Sequence, residues 1–410
     1  MQLLVYEHVS GGGFAGELIP PSVLSEGFSM LRTLVADFEA AGHNVTTTLD
    51  SRIARLNPPI NANCVVPVFS SREAQVKIQK IAEQVDAVYL IAPETNGVLR
   101  SLVALFEHTD VTSLNCSASA IEAVSDKAGF YTFMRKHGLP LPETLMFGVD
   151  DDVKEIKKAV QDSLDFPLIF KPSNTVSCCG LSVARNENQV VAAVDKIKKE
   201  SSSNQFLAQE LIKGAAASVC LLSTGENTVP VSLNRQDVTI EGPEACSSYL
   251  GGSVPFDHLF QAEAFEVAEK IVKSFPGLRG YLGVDFVLTK DKAVALEVNA
   301  RLTTSYVGLR SVANFNPAQA IVNAALKNKL PADTDSCGFA CFSKVEASNP
   351  QVSALQKTYG MNEVVSPPFP VSENSVASAV IATHGATLTE AESRLREAKK
   401  RVLNTISRGK

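Results

Sequence analysis

The sequence predicts an α/β protein whose N-terminal part is built on a parallel sheet. Strand-like and helix-like segments alternate through the first 115 residues, the pattern of a parallel sheet with helices on both faces. One of those strands, AVYLIA at 87–92, is a near-continuous apolar run of the kind buried on both faces. From about residue 117 the texture changes, and GVDFVLTKDKAVALEVN at 283–299 has the alternation and central turn of an antiparallel hairpin.

The elements follow in order. Strand 2–6 leads into a glycine-rich loop and a helix from Ser22 to about Ala41, with Ser22 as N-cap. Its apolar stripe is Val23, Leu24, Phe28, Leu31, Leu34, Val35 and Phe38. Strand 44–49, helix 72–84, strand 86–91 and helix 97–108 complete the first unit. Helix 118–136 ends at Gly138, and the prolines of GLPLPET force an extended exit. Strands 167–171 and 181–184 flank the loop SNTVSCCG. Helix 187–199, strands 205–210, 217–223 and 229–233, and helix 261–274 precede the hairpin. Two further strands lie at 338–346 and 376–382. The last helix opens on a Thr389–Glu392 capping box.

Composition excludes several classes. The chain has 410 residues, enough for two or three core-forming units, and its net charge of −6 gives no electrostatic case for nucleic acid or an anionic membrane. No apolar run approaches a membrane span, and the N-terminus starts directly on a strand with no leader pattern. Eight cysteines without a C-x-x-C pair point to a reducing, cytoplasmic setting. The loop Gly11-Gly12-Gly13-Phe14-Ala15-Gly16 satisfies G-x-G-x-x-G, and Asp50 ends the second strand. Five residues nevertheless separate the last glycine from Ser22, so a dinucleotide site fails on placement. A flexible backbone loop at a strand end, where ligands of such sheets bind, is the better reading; a plain turn is the alternative.

The hairpin carries the chemistry. A three-residue loop at Lys290–Lys292 sets Asp285 opposite Glu297, with Cβ atoms about 5 Å apart. Val284, Phe286, Leu288, Val294, Leu296 and Val298 then face a core. Facing carboxylates repel by roughly 3 kcal/mol at an effective dielectric of about 20. They are either solvated, as on the polar face of an ordinary hairpin, or bridged by a cation. With Asn299 on the same face the donor set suits Mg²⁺, and Arg301 could grip a phosphoryl oxygen in bidentate fashion. Neither a P-loop nor a kinase signature is present. Phosphate contacts must therefore come from residues such as Lys127, next to Asp126, and Lys171, which ends the apolar strand FPLIFKP. The segment Phe206–Gly214 runs from strand to turn and offers backbone groups to an adenine edge. Taken singly each of these signals is weak, since a surface lysine is usually just solvated.

Taken in order, SDK with GLPLP, FPLIFKP, AQELIKG, GVDFVL and LEVNAR resemble the ATP-grasp superfamily of carboxylate–amine ligases, over nearly the whole chain. The resemblance implies an ATP-grasp fold with an N-terminal parallel-sheet (pre-ATP-grasp) domain at 1–116, a central subdomain at 117–204 and a C-terminal subdomain at 205–410. It also implies Lys127 and Lys171 on the ATP phosphates, and Gln209, Glu210, Leu211 and Ile212 around the adenine. Asp285, Glu297 and Asn299 would hold Mg²⁺, with Mn²⁺ as a substitute, and Arg301 and Lys171 would serve the phosphoryl transfer. Two departures stand out. The family often has an acid for the ribose near the position of Ala216, and a loop richer in glycine than Ser173–Gly180. Cys178 and Cys179 could be read as nucleophiles, but no histidine stands nearby in sequence to activate them.

VYEHVSGGG, LIAPETNGVLRSLV and NARLTTSYVGLR also look like the tyramine–glutamate ligase family of methanofuran biosynthesis and its bacterial relatives. That implies a small-molecule carboxylate and amine as partners, with a homodimer left open. Substrate-lining candidates are Ser10, Gly11, Gly12, Gly13, Glu94, Thr303 and Thr304. Competing readings are another amino-acid or dipeptide ligase, a carboxyphosphate-dependent carboxylase, a nucleotide-binding module without catalysis, and an NAD-dependent oxidoreductase built on the glycine loop.

Overall fold

The fold comes from a computed structural model, which describes residues 1–175, 178–348, 350–371 and 376–407. Three sheets organise them. The first is parallel, with strands in the order 64–68, 44–50, 2–7, 87–91, 112–113. Strand order reverses between 2–7 and 87–91, and at such a switch point the carboxyl ends of two neighbouring strands leave a crevice for ligands. Glu7 ends one of these strands and Glu94 closely follows the other. The second sheet is antiparallel, ordered 144–148, 205–210, 168–172, 182–184. Helices Val153–Ser163 and Val190–Glu200 close a small core over it. The third has eight strands, running from the hairpin strands 293–299 and 280–288 through 215–223, 228–239, 248–254, 339–348 and 376–385 to 364–366.

Several expectations need correction. The first helix runs Pro21–Ala40, with Pro20 at the cap and Pro21 at the first helical position, where proline's fixed φ and missing N–H cost nothing. Ser22 therefore does not cap it. Its buried face is the expected one, from Leu24 through Phe28, Leu31, Leu34 and Val35 to Phe38, with Val23 half-buried. The expected single helix 118–136 is two, Ala118–Ser125 and Lys127–Lys136. Asp126 breaks it in extended conformation and caps the second helix through the N–H groups of Ala128 and Gly129. The last helix is capped by Thr387 and Glu390, not Thr389 and Glu392. Glu390 N–H reaches Thr387 Oγ1, and Ala386 N–H reaches Glu390 Oε2. Starting earlier buries Ala391 completely.

The hairpin differs instructively. Leu288 pairs with Ala293, so the loop holds four residues, and Thr289 N–H bonds to the Lys292 carbonyl at 2.9 Å. A bulge at Leu296, between the pairs Phe286–Ala295 and Asp285–Glu297, restores the register on the other side. Ala293 and Ala295 thus join Phe286 and Leu288 in the core on one face, while Val294 is buried on the opposite face and Leu296 is half-buried. Val298 and Ala300 follow on the face of the alanines. Asp285 still faces Glu297.

Candidate active site

Glu297, Asn299 and Arg301 alternate along one strand and its exit, and all point away from the core that holds Val298 and Ala300. Asp285 stands opposite, half-buried. One of its oxygens accepts from Asn299 Nδ2 and the other from Gln236 Nε2, each at 3.1 Å. Burial and the facing Glu297 push the Asp285 carboxyl up to about 7. Burial would push Glu297 up as well, but Lys127 and Lys171 outweigh it and hold that carboxyl below its ordinary range.

The lysines come from other elements, Lys127 from a helix and Lys171 from the second sheet. Lys127 begins its helix one residue after the Asp126 break. Its Nζ lies 3.3 Å from Glu297 Oε2 and donates to the Thr175 carbonyl at 2.6 Å. The backbone fixes it there, since Lys127 N–H bonds to the Ser173 carbonyl at 3.0 Å and Ser173 Oγ bonds to Asp126. Lys171 sits on the strand beside this loop. Burial draws its pKa down to about 8, against the attraction of Glu297. Two lysines, an arginine and two carboxylates therefore share one partly dehydrated site. Burial and the facing Glu297 together drive Asp285 toward neutrality, a penalty that a further cation at the pair would relieve. An oxygen donor set of Asp285, Glu297 and Asn299 Oδ1 would suit a hard cation such as Mg²⁺.

Arg301 joins this group to the parallel sheet. Its Nε donates to Glu94 Oε2 at 2.8 Å and its Nη2 to Asn299 Oδ1 at 3.3 Å. Glu94 is 6% exposed, and its Oε1 is a buried oxygen without a hydrogen bond. The switch point of the first sheet thus opens onto the end of the hairpin.

The remaining candidates are placed less openly. Ser10 is buried, its N–H and hydroxyl both on Glu7 Oε2. Gly11 and Gly12 are buried too, and Gly13 is half-buried. Gly12 has φ 111, and a Cβ there would lie 2.1 Å from Val68, so this glycine serves close packing. Asp50, which a dinucleotide site would use for ribose, has its oxygens on Arg52. Gln209 is buried and donates to Thr144 Oγ1 at 2.8 Å, Glu210 is exposed, and Leu211 and Ile212 are half-buried. Leu211 N–H already bonds to the Pro167 carbonyl, so a base reaching this segment meets one donor committed. Thr303 is buried against Tyr281, whose hydroxyl is 3.0 Å from Thr303 Oγ1, while Thr304 Oγ1 donates to Glu26 at 3.1 Å. Burial raises both loop thiols, Cys178 to about 11, which keeps them protonated and unreactive at neutral pH. Within the loop 173–180, Val176 and Ser177 lie outside the described residues.

Asp126, Ser173 and Gln236 escaped the sequence reading. Asp126 had a signal, an N-cap residue just before a lysine and small residues, while Gln236 had none because its role depends on a strand partner far away in sequence.

Residues 124–305 match the family model of the ATP-grasp domain and residues 43–121 that of the pre-ATP-grasp domain, together covering more than half the chain. The chain belongs to the ATP-grasp superfamily. It is 28% identical over 316 residues to the tyramine–L-glutamate ligase of Methanocaldococcus fervens, a match covering 75% of this chain and 89% of that protein. To the ligase of the same name from Methanocaldococcus jannaschii it is 26% identical, over 80% of this chain and 90% of that one. Among solved structures, an ATP-grasp superfamily protein from Archaeoglobus fulgidus superposes with TM-score 0.63 at 22% identity, covering 93% of this chain and 99% of the other. Biotin carboxylase from Campylobacter jejuni does so with TM-score 0.69 at 15% identity, covering 97% and 90%. These likenesses establish the ATP-grasp fold, and with the ligase relatives they make this an ATP-dependent carboxylate–amine ligase.

Proposed function

We propose that this ligase joins the γ-carboxylate of glutamate, or of a closely similar acid, to tyramine or a similar amine, in the biosynthesis of a methanofuran-type cofactor in the cytoplasm. The observation that carries the reading is the facing Asp285–Glu297 pair, ringed by Lys127, Lys171 and Arg301 at one site. The two methanogen relatives support the choice of substrates.

A carboxylate resists an amine because it is already anionic and has no good leaving group. Phosphorylation by ATP makes an acyl phosphate, which the amine attacks with release of phosphate. Phosphoryl transfer needs positioning and charge neutralisation more than covalent help. In this reading Lys127 and Lys171 lie along the phosphates, and Arg301, aimed by Glu94, steadies the transferred group. Asp285, Glu297 and Asn299 hold Mg²⁺, which supplies charge neutralisation at the phosphates. The 205–214 segment receives the adenine, and exclusion of water protects the acyl phosphate from hydrolysis.

The test is phosphate release from ATP and Mg²⁺ with L-glutamate, with and without tyramine, with the product weighed by mass spectrometry. Release requiring both, with a glutamyl amide formed, supports the assignment. Release with another amine keeps the mechanism and discards tyramine, and stimulation by bicarbonate alone points to a carboxylase instead.

A further inference from the structure

Lys344 and Glu26 form an ion pair between strand 339–348 and the first helix, with side chains only 12% and 15% exposed. Lys344 Nζ also donates to Ser22 Oγ at 2.9 Å, the hydroxyl left free when proline starts the helix. It lies 5.4 Å from the centre of the Tyr249 ring. Glu26 Oε2 accepts from Thr304 Oγ1, three residues beyond Arg301. Through Thr304 the pair stands close to Arg301 and the Asp285–Glu297 pair. The charge of Glu26 raises the affinity of Arg301 for its proton, and Glu26 and Lys344 both act on the Cys178 thiol alongside Glu297 and Asp285.

A half-buried ion pair contributes little to stability, because desolvation offsets the attraction. The helix is already tied down without it, by Arg32 on the carbonyls of Val364 and Val365 and by Asp37 on Arg310. What the pair does offer is one anion and one cation side by side, next to the residues of the candidate site.

We propose that Glu26 and Lys344 are the recognition pair for the α-amino and α-carboxylate groups of an amino-acid substrate. Glu26, with Thr304 beside it, receives the ammonium, and Lys344, backed by Ser22 and Tyr249, receives the carboxylate. Each charge then exchanges its present partner for one on the ligand, so neither is left buried alone. The side chain of the amino acid extends past Thr304 toward Arg301, which places its distal carboxylate, and not the α-carboxylate, at the phosphoryl group. This deepens the proposed ligase reading and rests on it, since it is the acid substrate that is held.

The test compares wild type, Glu26→Gln, Lys344→Met and the double variant, which removes the pair without stranding a charge. Acid-dependent phosphate release is measured with L-glutamate, glutarate (no amine) and 4-aminobutyrate (no α-carboxylate), across a panel of amines. Binding of a non-hydrolysable ATP analogue reports an intact fold. Wild type should prefer glutamate to both analogues. Glu26→Gln should raise KM for glutamate by about 10- to 100-fold and erase the preference over glutarate alone. Lys344→Met should erase the preference over 4-aminobutyrate alone, with KM for ATP unchanged in both. A wild type that turns over glutamate, with variants that keep both preferences, overturns the pair while leaving the ligase reading intact. The same selective losses with another α-amino dicarboxylate as the preferred acid support the pair and discard glutamate. Turnover confined to acids without an α-amino group overturns it.

Discussion

Arg301 meets Glu94, Asn299 and the Leu302 carbonyl at once, so its guanidinium is oriented before any substrate arrives. Lysine keeps the charge but cannot reproduce that planar set of donors. Arg301→Lys should lower kcat by about 100-fold, with a much smaller change in ATP affinity, measurable by steady-state phosphate release. Glu297→Gln removes a charge from the proposed metal set and should abolish Mg²⁺-dependent turnover while circular dichroism stays unchanged. Near wild-type activity in that variant would sink the metal assignment. His8 carries a pH signature of its own. Burial lowers its pKa from 6.5 to about 4, so the folded protein refuses a proton that the unfolded chain accepts. Stability from this group is full above pH 6.5 and falls as pH drops toward 4, by about 3 kcal/mol in all. His8→Gln should flatten that acid limb in urea titrations at pH 7 and pH 4.5.

Among the elements, the short break at Asp126 does the most positioning. It starts a new helix with Lys127 at its first residue and ties that helix to the 173–175 segment through Ser173. Asp126→Ala should cost about 1 kcal/mol for the lost cap. It should cost more in kcat, because Lys127 loses its orientation; unchanged kcat would reduce Asp126 to a structural cap. The bulge at Leu296 is the second such device, since it re-phases the strand so that small alanines enter the core on one side and Glu297 and Asn299 leave it on the other.

Across the whole molecule, the site depends on docking the parallel sheet against the eight-stranded one. Asp37 on the first helix accepts from Arg310 through both oxygens and from Tyr306 at 2.8 Å, and its carbonyl accepts from Asn316. Tyr306 is fully buried. Asp37→Ala strands that hydroxyl and the guanidinium and should destabilise the fold by about 2–3 kcal/mol. The check is a lower melting temperature, with loss of activity on mild heating before loss of helix signal.

By itself the sequence determined the α/β class, the hairpin, and most of the buried face of the first helix; the facing of Asp285 and Glu297 also needed the Leu296 bulge, which offsets the four-residue loop. Each follows from periodicity that a few neighbouring residues already show. The strand spacing of two put Asn299 and Arg301 on the face of Glu297 whatever the loop length. The four-residue turn and the Leu296 bulge were beyond it, because a bulge is chosen by twist and packing against the neighbouring strand. So was the break at Asp126, where a cap and a loop contact from residue 173 outweighed a continuous helical pattern. Only the tertiary structure placed Gln236 on Asp285, Glu94 on Arg301 and Lys344 on Glu26. These partners stand far apart in the chain, and only the stacking of the sheets brings them within a hydrogen bond.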